Sequence, residues 1–340
     1  MGTTIKDIAN AAGVGISTVS RVLNNSGSAS NDVKERVMKA VRELNYVPND
    51  SARNLKGGKS KTIMLLAKSI TNPFFQKMIP VIERQTLLMG YNLDIRNVNH
   101  TENEMEIARK EVKNHNLCGI ILVGGTFGYS DEDFEMLKVP CVLLTITAAE
   151  HVDKSLYSSV IIDDVAEMKK SVEYLISLGH RRIGCIVNKY GDIVTPNSLR
   201  FQGYVQALEE HGIEYDPALV TPHNIVNSGY EFGFHSMKNL LEKNKDMTAV
   251  VTMADVMAIG AAKAALMEGL RIPEDMSIIG FDGVEEAEYY NPALDTIMQP
   301  AQQMAQQTVD ALMEMLRGGQ SSHIVLEATL TRRGTCAERR

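Results

Sequence analysis

Thr4-Ile-Lys-Asp-Ile-Ala-Asn-Ala-Ala-Gly-Val-Gly-Ile-Ser-Thr-Val-Ser-Arg-Val-Leu-Asn24 holds two short helical patterns on either side of a glycine turn. Thr4 and Asp7 read as a capping box, the hydroxyl taking an orphan amide and the carboxylate sitting in the first turn. Ile5, Ile8 and Ala9 share one face of the first helix. Gly13 breaks it, and a second helix starts after Gly15 with Val19, Val22 and Leu23 as its buried stripe. Two short helices joined by a turn containing Gly make a helix-turn-helix. Ile16, Ser17 and Thr18 fall on the free face of the second helix, where a recognition helix presents its N-terminal side chains to base edges. The competing reading of these residues alone is an ordinary αα-hairpin inside a larger core.

Outward from this stretch, a loop (Asn25 to Ala29) leads to Ser30, which caps a third helix. Val33, Val37, Val41 and Leu44 form its apolar stripe, with Met38 and Ala40 beside it. Val47 precedes Pro48 and is biased away from helix, so this head is expected to end near Tyr46. Residues 1–61 carry ten Lys/Arg against five Asp/Glu, while the other 279 carry 25 against 37. A basic head on an acidic body suggests that polyanion binding is confined to the head, although a solvated basic face would give the same count.

Ile5-Lys6-Asp7-Ile8-Ala9, Ala12-Gly13-Val14, Thr18-Val19-Ser20-Arg21-Val22-Leu23-Asn24 and Tyr46-Val47-Pro48-Asn49 resemble the signature of the lac repressor (LacI/GalR) family of bacterial regulators. The resemblance covers nearly the whole chain. Gly15 departs from it, standing where the family usually has a Ser capping the recognition helix. That exchange costs only a few tenths of a kcal/mol. The resemblance implies DNA binding through Thr4, Ile16, Ser17, Thr18, Ser20, Arg21 and Asn24. Ile16 and Ser17, with Arg21 a turn later, are expected to face base edges. Thr18, Ser20 and Asn24 are expected to serve phosphates, which position without specifying. Residues 49–59 are short and polar, and an isolated helix of that length is marginal in water. By composition the segment is a plain linker. In the family it is a hinge helix that folds on operator DNA, where Leu55, with Ala52 beside it, would enter the minor groove and kink the duplex.

Beyond the hinge, β-rich runs alternate with helical patterns. Strands are expected at residues 62–67, 91–96, 119–123, 141–144, 160–162, 183–187, 249–253, 277–281 and 296–299. Helices are expected at 75–89, 103–115, 131–137, 165–178, 198–211, 228–243, 256–268 and 302–316. The alternation implies parallel sheets with right-handed crossovers, and the length implies two of them, the second series starting after the strand at 183–187. The fold class expected is therefore α/β: an all-α helix-turn-helix headpiece (1–47), a hinge (48–60) and two doubly wound lobes (61–340). The resemblance gives these lobes the periplasmic-binding-protein type.

Ligands of doubly wound sheets bind beyond the carboxyl ends of strands, which here is the cleft between the lobes. Asn72-Pro73-Phe74-Phe75 resembles the sugar-stacking loop of ribose-type binding proteins, and aromatic faces suit the C–H faces of a sugar ring. Phe packing at a helix start explains Phe75 equally well. Arg200, in Arg-Phe-Gln-Gly-Tyr, and Asp282, ending Ile278-Ile-Gly-Phe-Asp282, match the family's effector-binding Arg and Asp. Facing each other across a cleft they would clamp neighbouring hydroxyls; an interdomain salt bridge is the alternative. Three departures alter the expected ligand. Thr145-Ile146 replaces an Asp-Arg pair, Asp163-Asp164 an Asp-Asn pair, and Ala254 an Asn. Catabolite-control regulators of the family also lack the Asp-Arg pair and respond to a phosphorylated carrier protein, so a carrier is a competing partner.

The remaining signals narrow the function class. Hydrophobic content of 44% and charged content of 23% are ordinary for a soluble protein. No apolar run approaches ~20 residues and the N-terminus lacks a signal peptide's apolar stretch, so no membrane partner and a cytoplasmic location are expected. Cys118, Cys141, Cys185 and Cys336 lack metal spacing, the first three reading as buried free thiols, and the eight His are scattered. No metal, cofactor or catalytic residue is expected. There is no Gly-x-Ser-x-Gly elbow, Walker loop, dinucleotide fingerprint or His-Glu-x-x-His. Asp163 and Asp164, as strand-end neighbours, point to opposite sides. A sugar-binding protein without regulatory role is a second rival, and the basic head argues against it. The expected protein is a repressor acting as a homodimer on a pseudo-palindromic operator and answering to a sugar or sugar derivative. The tail after Leu330 lacks the apolar heptads of a tetramerising helix.

Overall fold

The computed structural model describes residues 3–23, 29–46, 60–99, 101–188, 193–221 and 229–339. The chain forms two compact units, Met1–Ser60 and Lys61–Arg340. The expected contacts of Asn24, Ala52 and Leu55, and the hinge as a whole apart from Ser60, lie outside the described residues.

The first unit contains α1 (Ile5–Ala12), α2 (Ile16–Leu23) and α3 (Asn31–Glu43). Its core is small: Ile8, Ala9, Ala12, Val19, Val37 and Ala40 are buried together, with Val22, Leu23, Val33 and Val41 packed against them. Gly13 ends α1 at φ 63°, a left-handed conformation that costs glycine nothing, and the Val14 amide reaches back to the Ala9 carbonyl at 3.0 Å. The Ser30 hydroxyl accepts from the Val33 amide at 3.4 Å, capping α3 as expected. The capping box of α1 forms: the Thr4 side chain takes the Asp7 amide, and the Asp7 carboxylate accepts from the Thr4 amide (2.8 Å) and also from its hydroxyl (2.7 Å). One expectation changes. Met38 and Leu44 are exposed, because three short helices leave no fourth surface to cover that side of α3.

The second unit holds two sheets. Sheet one runs β10-β5-β4-β3-β1-β2, with β1 Thr62–Lys68, β2 Asn92–Val98, β3 Leu117–Val123, β4 Cys141–Leu144, β5 Ser158–Ile162 and β10 His323–Leu326, all parallel. Sheet two runs β11-β9-β8-β7-β6, with β6 Ile183–Ile186, β7 Ala249–Thr252, β8 Ser277–Asp282, β9 Asp295–Met298 and an antiparallel edge, β11 Thr329–Thr331. Helices cover both faces. In β1, Ile63, Leu65 and Ala67 enter one apolar cluster while Met64 and Leu66 enter another, the continuous burial of a parallel strand. Crossovers are α4 (Pro73–Leu88), α5 (Glu104–Asn114), α6 (Asp131–Glu135), α7 (Asp164–Ser177), α8 (Pro196–Glu210), α9 (Tyr230–Lys243), α10 (Asp255–Met267), α11 (Glu285–Tyr289) and α12 (Ala301–Leu316).

The division into lobes differs from the expected one. α7 packs on α8, β7 and β9, so the second lobe begins before it, not after β6. α12 returns to the first lobe, against α4, β3, β4 and β5; Leu312 lies where a Cβ on Gly119 would meet it at 2.9 Å. β10 and β11, not expected from sequence, extend one sheet each. The residues after Leu330 lie along the second lobe: Ile278 donates to the Thr335 carbonyl at 2.9 Å and Arg339 to Leu178 at 2.7 Å. Cys141 and Cys185 are buried, but Cys118 is only half-buried, its thiol pushed up to about 11 by burial and donating to the Thr62 carbonyl at 3.3 Å.

α9 and α10 pack backbone against backbone. A Cβ on Gly233 would sit 2.0 Å from the Met257 carbonyl oxygen, and one on Gly260 would sit 2.0 Å from that of Tyr230. In an isolated helix, Gly→Ala gains roughly 1 kcal/mol. Gly260→Ala is instead expected to cost about 1–3 kcal/mol, because the two helices must separate. Urea unfolding gives the sign: a midpoint above the parent's would show that the helix pair has room to spare.

Candidate functional site

Two surfaces carry the candidate chemistry. On the head, Ile16 is 40% exposed at the first turn of α2, although it is apolar, while Val19 three residues on is fully buried. Ser17 and Arg21 are also exposed, one turn apart; Thr18 and Ser20 are half-buried. The packing of Val19, Val22 and Leu23 fixes which face of α2 turns outward, and that face carries the three side chains assigned to base edges. Thr4 is exposed, but both its donors are committed to Asp7, so no Thr4 donor is left for a phosphate in this arrangement.

In the body, a cavity of about 270 Å³ lies between the lobes, and all five expected effector residues, Asn72, Phe74, Phe75, Arg200 and Asp282, line it. Strand ends build most of the rest: Lys68 ends β1, Gly124 to Thr126 follow β3, Thr145 follows β4, Asn188 lies just beyond β6, Met253 and Ala254 follow β7, and Gln299 follows β9. Apart from Thr145 and Ala254, noted above as departures, these residues were not singled out from sequence, yet each stands at or just past the carboxyl end of an expected strand, which was the available signal. Asn72 caps α4, its side-chain oxygen accepting from the Phe74 amide at 3.0 Å. That cap and Pro73 at the first helical position aim the Phe74 and Phe75 rings, whose centroids are 5.8 Å apart. Both rings are almost buried, so Phe75 is at once a packing residue and a wall of the cavity.

Arg200 and Asp282 do not face each other across the cleft. Both belong to the second lobe, at the start of α8 and the end of β8, and they approach to 3.6 Å. The guanidinium donates through Nε to Asp164 at 2.7 Å and through Nη1 to the Met253 carbonyl at 2.5 Å, and it lies 3.7 Å above the Phe281 ring. Asp163 turns away and caps α7 at the Ala166 amide, 3.0 Å, so the two adjacent carboxylates do separate. Asp282 holds φ 115°, a region side chains rarely occupy. It is pinned there by Gln299, whose side-chain amide donates to its carboxylate at 2.8 Å and whose backbone amide donates to its carbonyl at 3.2 Å. Burial pushes the Asp282 carboxyl up to about 7 against the lowering pull of Arg200, and burial also raises Asp164. Behind them, burial and then the Asp282 charge push Asp255 up to about 8.

The first lobe supplies a second buried charge pair. Lys68 meets Glu104 at 2.6 Å, and the Tyr129 hydroxyl donates to Glu104 at 2.6 Å. The lobes touch on two sides: Lys77 Nζ donates to the Gly283 carbonyl at 2.7 Å, and the Phe127 amide to the Val194 carbonyl at 3.1 Å. Of the three departures, Thr145 and Ala254 leave small side chains on the wall, Ile146 turns into the first lobe's core, and Asp164 is the partner of Arg200.

A helix-turn-helix unit followed in the chain by a two-lobed body with an interlobe cavity is the architecture of a DNA-binding regulator. Residues 4–49 match the model of the bacterial regulatory proteins of the lacI family, and residues 172–336 match that of the periplasmic binding protein-like domain. The HTH-type transcriptional regulator MalR of Clostridium butyricum is 37% identical over 98% of both chains. Among solved structures, a lac repressor dimer bound to operator and the anti-inducer ONPF is 25% identical with a TM-score of 0.78, covering 99% of this chain and 100% of that one. A complex of the transcriptional regulator CelR with cellobiose is 27% identical with a TM-score of 0.71, covering 98% and 99%. The chain belongs to the LacI family of bacterial transcriptional regulators. Among the described residues no helix is long and apolar enough to cross a membrane.

Proposed function

We propose that this regulator is a homodimeric repressor whose operator affinity is set by a sugar or sugar derivative held between its lobes. The observation that carries this reading is the single cavity in which Phe74 and Phe75 of one lobe stand with Arg200, Asp282 and Gln299 of the other. Aromatic walls suit a sugar's C–H faces, and fixed charged groups suit its hydroxyls. A ligand in contact with both lobes biases their relative position, and the Lys77–Gly283 and Phe127–Val194 bonds are the contacts that lobe movement would break. A coupling of about 1–3 kcal/mol changes operator affinity 5–150-fold. In the head, Ile16, Ser17 and Arg21 read bases while Thr18 and Ser20 position the helix on phosphates.

The test is a thermal-shift screen of mono- and disaccharides against the purified chain, followed by operator binding with each hit. A ligand at 100 times its dissociation constant is expected to stabilise the body by about 2.7 kcal/mol. Asp282→Asn is expected to weaken that ligand at least about tenfold, the loss of one charge-assisted hydrogen bond, while operator binding without ligand is retained. Unchanged affinity in calorimetry would remove Asp282 from the effector site.

A further inference from the structure

We propose that the interlobe cavity selects a neutral sugar and rejects phosphate esters and sugar acids by charge; the inference rests on the sugar reading above. Every described cation at the cavity is already engaged. Lys68 is paired with Glu104. Arg200 is shared between Asp164 and Asp282. Lys77, just outside the wall, donates to the Gly283 carbonyl. Each of these three cations already bonds to an oxygen of the protein itself, so none of them stands without a partner.

Helix N-termini, the other common anion sites, have part of their first turn already used here. At α4, Pro73 has no N–H and Asn72 takes the Phe74 amide. At α8, Pro196 has no N–H, and Thr195 and Ser198 satisfy each other's amides at 3.2 and 2.8 Å. α10 carries the buried Asp255 at its first position. Among the described residues a phosphomonoester would therefore lie beside Asp282 without a cation that is not already bonded within the protein, whereas a hydroxyl can donate to that carboxylate and accept from the guanidinium. The site discriminates by what it lacks for the anion as much as by what it offers the neutral ligand.

The inference is tested on the full-length chain by calorimetry with glucose, ribose and cellobiose, each paired with the phosphomonoester of its terminal hydroxymethyl group, and with gluconate as the sugar acid. The neutral member of at least one pair is expected to bind, with its phosphomonoester at least about 100-fold weaker. Asp164→Asn frees part of the Arg200 charge and is expected to narrow that ratio at least about tenfold. Asp282→Asn serves the same purpose if the first variant does not fold. A phosphomonoester or gluconate that binds as tightly as the neutral sugar overturns the inference and leaves the sugar reading standing. A ratio that neither variant moves also overturns it, since size and not charge would then exclude the ester. Response to no compound overturns the sugar reading and the inference together.

Discussion

Arg200→Met is expected to destabilise the body by about 3–5 kcal/mol near neutral pH, the cost of leaving buried carboxylates without their cation. Asp164 and Asp282 are each at most 5% exposed, and Met fills the volume of the guanidinium stem without its charge. The loss should depend on pH with a definite sign. The unfolded carboxyl titrates near its ordinary value of 3.8, while folded Asp282 is pushed up to about 7. Between those values the folded chain holds a proton that the unfolded chain has lost, so this group's contribution to stability falls as pH rises through the window. Without Arg200, whose charge lowers both carboxyls, the window extends upward and the penalty grows. Lowering the pH from about 8 to about 5 should therefore recover more stability in Arg200→Met than in the parent. Urea unfolding of both proteins across that range decides it. Parallel pH profiles would mean that Arg200 is there only for the ligand. Adding Asp164→Asn and Asp282→Asn to Arg200→Met should restore stability but not ligand binding, which separates the two roles.

Replacing Ile16 and Ser17 together is expected to redirect the regulator to a different operator. Each base mismatch costs about 1–3 kcal/mol. A two-fold operator presents each contacted position twice, so the parent operator should lose at least about 100-fold in affinity to the double variant. Both residues are exposed and neither belongs to the head's core, so the variant should fold and keep its salt-dependent, sequence-independent affinity. Selection from randomised duplexes reads the outcome: recovery of the parent motif would move base recognition elsewhere on the head.

The local structure of this protein was largely written in its local sequence. Thr4 to Leu23 announced two helices because capping, glycine placement and apolar spacing act within a few residues of each other. The same holds for β1, β3 and β4, whose short unbroken apolar runs between helical patterns read as strands of a parallel sheet. That Arg200, Asp282 and the Asn72–Phe75 turn would line one cavity was legible through resemblance and through the rule that ligands gather at strand ends. The Lys68–Glu104 pair was not, since nothing in a lysine at position 68 and a glutamate at the start of a helix says that a sheet register brings them to 2.6 Å.

Periodicity specifies which face of an element is apolar but not which other element covers it. α12 reads as the last helix of the second lobe, yet it crosses to the first, where β3, β4 and β5 leave a face to cover, and β10 follows it to that sheet's edge. The tertiary structure likewise put Arg200 and Asp282 on the same lobe. Two charges that sequence could only place at the ends of two elements became neighbours, because α8 begins and β8 ends on the same side of one sheet. The sequence by itself determined most of the elements, the helices of the head and the residue types at the cavity, but not β10, β11 or α11. Only the packing of distant surfaces decided the lobe boundary and the partner of each buried charge, since the burial that fixes both exists only once the sheets are covered.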